Sequence, residues 1–250
     1  MRELLRAESE IWQGRYLYLP RKERMESSIA GLKGCRAEIL TIPDIGAKMV
    51  DYLLHIDSDG DTGSVFCSQG MEYFLYVCQG QCEVMVDGKL GNAGVGDYLH
   101  VPPGHEMRIK GKDGQATIFI HKQRYRSHED VVPNLLWGNA DEKAAAYTDG
   151  AHSQTLKKLL GDSADYDMAA NILGFEPGVG FNQVETHAEE HGIYVMAGQA
   201  CFMLDKKWIM VREGDYLWLA PYTPHACYGL GNDEFSYFLV KNTNRDYLLL

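Results

Sequence analysis

The chain has 250 residues, 45% of them hydrophobic, which is enough for one large or two ordinary domains that each bury a core. Its formal net charge of -11 and isoelectric point near 5.2 exclude a general attraction to nucleic acid or to anionic membrane, so an anionic substrate must find a local cation. Six cysteines without a Cys-x-x-Cys pair, no apolar leader at MRELLRAESEIWQG and no stretch approaching a membrane span together predict a soluble cytoplasmic protein.

In chain order, an arm of about 30 residues comes first, free to pair with a neighbouring sheet edge. Short alternating apolar runs broken by Gly, Pro and Asp follow, the pattern of an antiparallel sandwich or barrel. These runs recur. LYVCQGQCEVMVDGK (75 to 89) aligns without gaps on IYVMAGQACFMLDKK (193 to 207), an offset of 118, and GDYLHVPP (96 to 103) meets GDYLWLAP (214 to 221) at the same offset. An upstream echo, AEILTIPDIGAK (37 to 48) against ANILGFEPGVGF (170 to 181), has a larger offset and predicts an insertion in the first copy near DSDGDTGS. Between the copies, residues 122–163 mix turn residues with two short helix-compatible stretches. The expected architecture is all-β: two tandem barrels, 1–121 with the arm and 164–250, joined by a short, partly helical linker.

VETHAEEHGIYVMAG (184 to 198) carries the chemistry. A helical reading would set His187 and His191 one turn apart, but a zincin needs Glu after the first His, and this chain has Ala188. The repeat makes the run from Ile193 a strand, so Glu185 and His187, two apart, project to one face, and a turn at Ala188 to Glu190 brings in His191. His225 in APYTPHACYG is the fourth member. One carboxylate and three imidazoles suit Mn, Fe, Co, Ni or Zn. At the offset of 118 the first copy offers Cys67, Gln69, Tyr73 and Met107, which is no hard-metal set, and His100 and His105 fall out of register. A purely structural need for the histidines would appear in both copies. By the same control, Asp205 and Asp215 recur as Asp87 and Asp97 and are turn residues, while Trp208 and Trp218 sit on strand patterns. Phe235, Tyr237, Leu239 and Lys241 alternate along one strand face, and Lys241 supplies the local positive charge that a carboxylate-bearing substrate needs.

These residues resemble the cupins: Gly180-x4-Glu185-x-His187-x3-His191-x6-Gly198 matches their first motif, with Glu and His exchanged, and Gly214-x6-Pro221-x3-His225 their second. Over nearly its full length the chain resembles bicupins of the ureidoglycine aminohydrolase family, on ETHAEEHG and the tail SYFLVKNTNRD. The resemblance implies a manganese-dependent aminohydrolase acting on a C–N bond, which converts (S)-ureidoglycine and water to (S)-ureidoglycolate and ammonia in allantoin and purine catabolism. It implies metal ligands at Glu185, His187, His191 and His225 and substrate contacts at Tyr237, Lys241 and Phe202, with Glu185 as ligand, base or both. Two positions depart from the family pattern: His225 stands where Gln is usual, and Phe202 where Tyr is usual.

Two readings stay beside this one. Three His and one Glu also serve cupin dioxygenases, for which Phe202 and Met203 would supply an apolar pocket, and a non-catalytic metabolite-binding bicupin would hold a ligand without turnover. The expected partners are a small-molecule substrate and further copies of the chain in a homo-oligomer.

Overall fold

The computed structural model describes residues 8–64, 66, 69–126, 133–148, 150–161 and 166–243. A leading arm forms β1 (Glu10–Trp12) and β2 (Tyr16–Leu19). The first barrel follows as β3 (Glu26–Ser27), β4 (Lys33–Thr41), β5 (Met49–Asp61), β6 (Met71–Gln79), β7 (Gln81–Val86), β8 (Lys89–Gly94), β9 (Asp97–Val101), β10 (Met107–Gly111) and β11 (Ala116–Arg124). The linker contributes β12 (Leu136–Asn139), β13 (Ala146–Tyr147) and β14 (Gln154–Lys158). The second barrel is β15 (Met168–Phe175), β16 (His191–Ala197), β17 (Gln199–Leu204), β18 (Lys207–Arg212), β19 (Tyr216–Leu219), β20 (His225–Leu230) and β21 (Phe235–Asn242). Among the described residues there is no α-helix, and so no helix long and apolar enough to cross a membrane.

Strand alternation creates three cores. In β21, FSYFLVKN, the odd residues Phe235, Tyr237 and Leu239 fill the interior of the second barrel, while Phe238 and Val240 point at the first barrel. The seam between barrels is therefore itself a hydrophobic core, with the Phe238 ring 5.1 Å from Phe119, 5.2 Å from Tyr76 and 5.7 Å from Phe74. The first barrel's interior is filled by side chains such as Leu54, Phe66, Tyr73, Met107 and Ile118.

The pairing register revises the repeat. Ala37 pairs with Leu54 as Leu156 pairs with Leu173, so the counterpart of Ala37 is Leu156 in the linker, not Ala170. The upstream echo was a chance similarity between non-equivalent strands, and the large insertion it implied shrinks to one extra residue in the first copy between Phe66 and Tyr73. The same register shows that β14, assigned from sequence to the linker, is part of the second barrel. The expected helix-compatible linker stretches form strands, apart from a 3-10 turn at Ala140–Glu142. A helix of two turns is marginal alone, whereas a strand laid on an open sheet edge satisfies that edge's backbone groups.

The arms are exchanged between barrels. β2, grouped from sequence with the first barrel, instead pairs with β19 of the second (Tyr216 opposite Leu19), and β12 of the linker pairs with β9 of the first (Asn139 opposite Asp97). Each arm then makes a 3-10 turn, Arg21–Glu23 or Ala140–Glu142. The turn aspartates tie the arms down: Asp215 accepts from the Tyr18 hydroxyl at 2.9 Å and the Arg21 amide at 2.9 Å, while Asp97 accepts from the Asn139 side chain at 2.8 Å. Asp87 and Asp205 both take left-handed backbone (φ 49° and 57°) in the equivalent hairpins.

Candidate metal centre

The segment before β16 is held against the edge of β20 by reciprocal backbone hydrogen bonds, Glu185 N to His225 O at 2.8 Å and His225 N to Glu185 O at 2.9 Å. Two residues on, the His187 carbonyl accepts from the Tyr222 amide at 2.8 Å. This extended strap places Glu185 beside His225 and turns His187 toward the same interior. After a bend at Ala188, His191 opens β16, flanked in register by Leu219 and Lys241.

The donor nitrogens of His187, His191 and His225 lie within 4.8 Å of one another, and their ring centres are 4.7 to 5.2 Å apart. Glu185 stands just outside this trio, with its Oε2 3.8 Å from His225 Nε2. Burial, followed by the neighbouring cationic groups, pushes His191 well below the ordinary imidazole value, and burial likewise lowers His225. Both rings are therefore neutral near pH 7, the form that binds metal. The Nδ1 of His225 lies 2.9 Å from the Thr223 carbonyl, which only accepts, so Nδ1 carries the proton and Nε2 keeps its lone pair for a ligand.

In the first barrel the equivalent bridge joins Phe66 to Met107, where the second joins Glu185 to His225. The counterpart of Glu185 is thus Phe66, one residue before the Cys67 expected from sequence; Cys67 lies outside the described residues. Phe66 and Tyr73 pack edge to face at 5.4 Å, with Met107 buried beside them in the same apolar cluster. One scaffold holds imidazoles where its sister holds an apolar cluster.

A profile described as the Cupin domain matches residues 171–241. The (S)-ureidoglycine aminohydrolase of Escherichia coli is 35% identical over 246 residues, covering 98% of this chain and 94% of that protein. The chain belongs to the (S)-ureidoglycine aminohydrolase family. The crystal structure of protein Ylba from E. coli superimposes with a TM-score of 0.86 at 35% identity, covering 98% of both chains. Oxalate decarboxylase of Bacillus subtilis, solved in a study of its Mn(II) centres, shares the fold at a TM-score of 0.72 and 10% identity, covering 94% of this chain and 79% of that one.

In this ureidoglycine aminohydrolase-family chain, the other residues singled out from sequence divide between core and rim. Tyr237 is buried inside the barrel, 5.9 Å from Phe175 and 6.1 Å from Phe202 between ring centres, and burial drives its phenol far above the usual range, so it keeps its proton. Phe202 is fully buried. Lys241 reaches the rim, where its Nζ donates to Glu189 Oε1 at 3.1 Å. Trp218 is buried in the seam, while Trp208 is about half exposed. His100 is buried against Glu72 at 3.0 Å and His105 faces Asp87 at 2.6 Å, both in the first barrel.

Sequence reasoning missed Glu189 and Glu190. Glu189 Oε2 lies 2.8 Å from His187 Nδ1, and this contact, with the Lys241 charge adding to it, holds the Glu189 carboxyl at about 2. Glu189 therefore orients a candidate ligand and a candidate substrate-binding cation at once. Glu190 points the other way, into the seam, where it accepts from the Lys48 amide at 2.8 Å and Trp218 Nε1 at 2.6 Å; burial lifts its carboxyl to about 7. Adjacent residues of an extended chain face opposite ways, which is the signal that the assignment of Ala188 to Glu190 as a simple turn discarded.

The depressed imidazoles carry a pH prediction. A ligand whose folded pKa lies below 6.5 does not take up protons in competition with the metal until the pH falls below that ordinary value. Metal content after equilibrium dialysis should stay level down to pH 6.5 and fall only below it; a decline centred at 6.5 or above would show that the rings are not held neutral.

Proposed function

We propose that the second barrel binds one divalent ion, manganese, through His187, His191 and His225 with Glu185 as a fourth donor, and there releases ammonia from (S)-ureidoglycine to leave (S)-ureidoglycolate. Family membership supports the reaction, and the convergence of three imidazoles beside a carboxylate is the observation that carries the site. Manganese is one of the ions the donor set accommodates, and the choice among them is supported by the Mn(II) centres named for the fold relative oxalate decarboxylase.

When bound, the ion would supply Lewis acidity to the substrate's nitrogen or oxygen donors and to water. The side chains divide the rest of the work. Lys241 is the cation at the rim and binds the substrate carboxylate, with Glu189 setting its position. Tyr237, protonated at every physiological pH, offers only a hydrogen-bond donor or a neutral acceptor, never a phenolate base. Glu185, whose side chain is 36% exposed, is placed to take a proton from water and return it to the departing amine. In the balance, the C–N bond breaks, a C–O bond forms from water, and nitrogen leaves as ammonia.

The test measures ammonia release from freshly generated ureidoglycine, using protein stripped of metal and refilled with one ion at a time. Restoration by manganese supports the assignment. Oxygen consumption by iron-loaded protein without ammonia would transfer the site to dioxygenase chemistry, and tight ligand retention without turnover to a binding role.

Lys241→Met should raise KM roughly tenfold or more, the worth of a charge-assisted hydrogen bond, while metal content is unchanged. Equal loss of metal and substrate affinity would show that Lys241 supports the ligands and not the substrate.

A further inference from the structure

The seam between barrels opens at one end into a cavity of about 280 Å³, on the face of β16 and β21 opposite the metal centre. Tyr194, Met196 and Phe238 of the second barrel form one side and Tyr76 and His55 of the first form the other. Arg24, just beyond the arm's 3-10 turn, is built into its wall with a side chain only 4% exposed.

The Nε of Arg24 lies 3.0 Å from Glu38 Oε2, and Glu38 Oε1 lies 3.2 Å from His55 Nε2, whose Nδ1 meets the Thr117 hydroxyl at 3.1 Å. The guanidinium carbon sits 5.9 Å from the Tyr194 ring centre. With Nε taken up by Glu38, Nη1 of Arg24 is buried without a hydrogen-bond partner among the described residues. Buried donors are nearly always satisfied, and one left over in the wall of a polar cavity points to a ligand. A guanidinium matches a planar carboxylate best. Arg21 adds a second positive charge to the lining, but Glu38 and Glu213 on the same walls repel polyanions and accept N–H groups.

We propose that this cavity is a second ligand site, which takes a small monocarboxylate bearing amide or ureido N–H groups. The carboxylate sits on Arg24, the N–H groups face the two glutamates, and the planar body lies among Tyr76, Tyr194 and Phe238. Its occupant presses on the outer faces of the strands that carry His191 and Lys241, so it is positioned to modulate the metal centre. The inference does not depend on the reaction performed there.

The test uses the full chain labelled with [methyl-13C]methionine and titrated with N-carbamoylglycine. Met196, one of ten methionines, is assigned by the signal lost in Met196→Leu. Its resonance should shift saturably, and Arg24→Met should weaken that titration roughly tenfold or more. Arg24→Gln, which keeps a polar partner for Glu38, serves if the methionine variant does not fold and should weaken binding in the same way. His225→Met, which removes a candidate metal ligand, should leave the Met196 shift intact, and inorganic phosphate should not reproduce it. An unmoved Met196 signal, an unchanged titration in both Arg24 variants, loss of the shift in His225→Met, or phosphate binding as tightly would each overturn the proposal.

Discussion

His225→Met is expected to fold normally yet lose divalent metal by at least about 100-fold in affinity and, with it, detectable ammonia release. The folding half rests on the sister barrel, where Met107 occupies the matching bridge position and is buried. The metal half follows from ligand chemistry: disturbing partners behind a ligand already costs roughly 10 to 100-fold, and losing the nitrogen itself costs more. A thioether is a soft, neutral donor, poorly suited to the hard ions that fit an imidazole and carboxylate set. Metal analysis after gel filtration, with a thermal melt as the folding control, decides the matter. Wild-type metal content in a folded His225→Met protein would remove this histidine from the site, and with it the argument from the two barrels.

Gly192→Ala is expected to destabilise the chain by about 3 kcal/mol, near the upper end of overpacking penalties, which for a chain of this size lowers the melting temperature by roughly 10 °C. A Cβ at Gly192 would overlap Asp51 Oδ2 and come within 2.8 Å of the Tyr216 hydroxyl oxygen. Neither neighbour has room to yield. Asp51 is fixed by His121 Nδ1 at 2.7 Å and by the Tyr216 hydroxyl at 2.5 Å, and all three residues are fully buried. Because Gly192 follows His191 directly, the strain should also displace a ligand, so metal affinity should fall together with stability. Calorimetry and metal analysis on the same preparation check both, and an unchanged melting temperature would mean that the seam between barrels is softer than its buried network implies.

Much of the architecture was legible because strand periodicity is local. The alternation in FSYFLVKN sorts Phe235, Tyr237 and Leu239 from Phe238 and Val240 without knowledge of any partner strand. The internal repeat then gave a control for function: of the aspartates present in both copies, Asp87 and Asp205 take left-handed hairpin backbone while Asp97 and Asp215 anchor the arms, and histidines present in only one copy converge. The false echo at AEIL failed for the opposite reason, since four apolar letters carry no register and only hydrogen-bonded pairing shows that Ala37 matches Leu156. The same lack placed Glu185 opposite Cys67 where the bridges place it opposite Phe66.

The sequence by itself determined the two antiparallel barrels and the candidate ligands Glu185, His187, His191 and His225, because residue type and a period of two are properties of neighbouring residues. Only the tertiary structure decided that the leading arm joins the far barrel, that Glu189 spans His187 and Lys241, that Glu190 and Asp51 lie behind the site in the seam, and that a cavity forms around Arg24. Those features arise where segments remote in the chain meet. Their energy comes from burial and hydrogen bonds across the barrel interface, which no local pattern records.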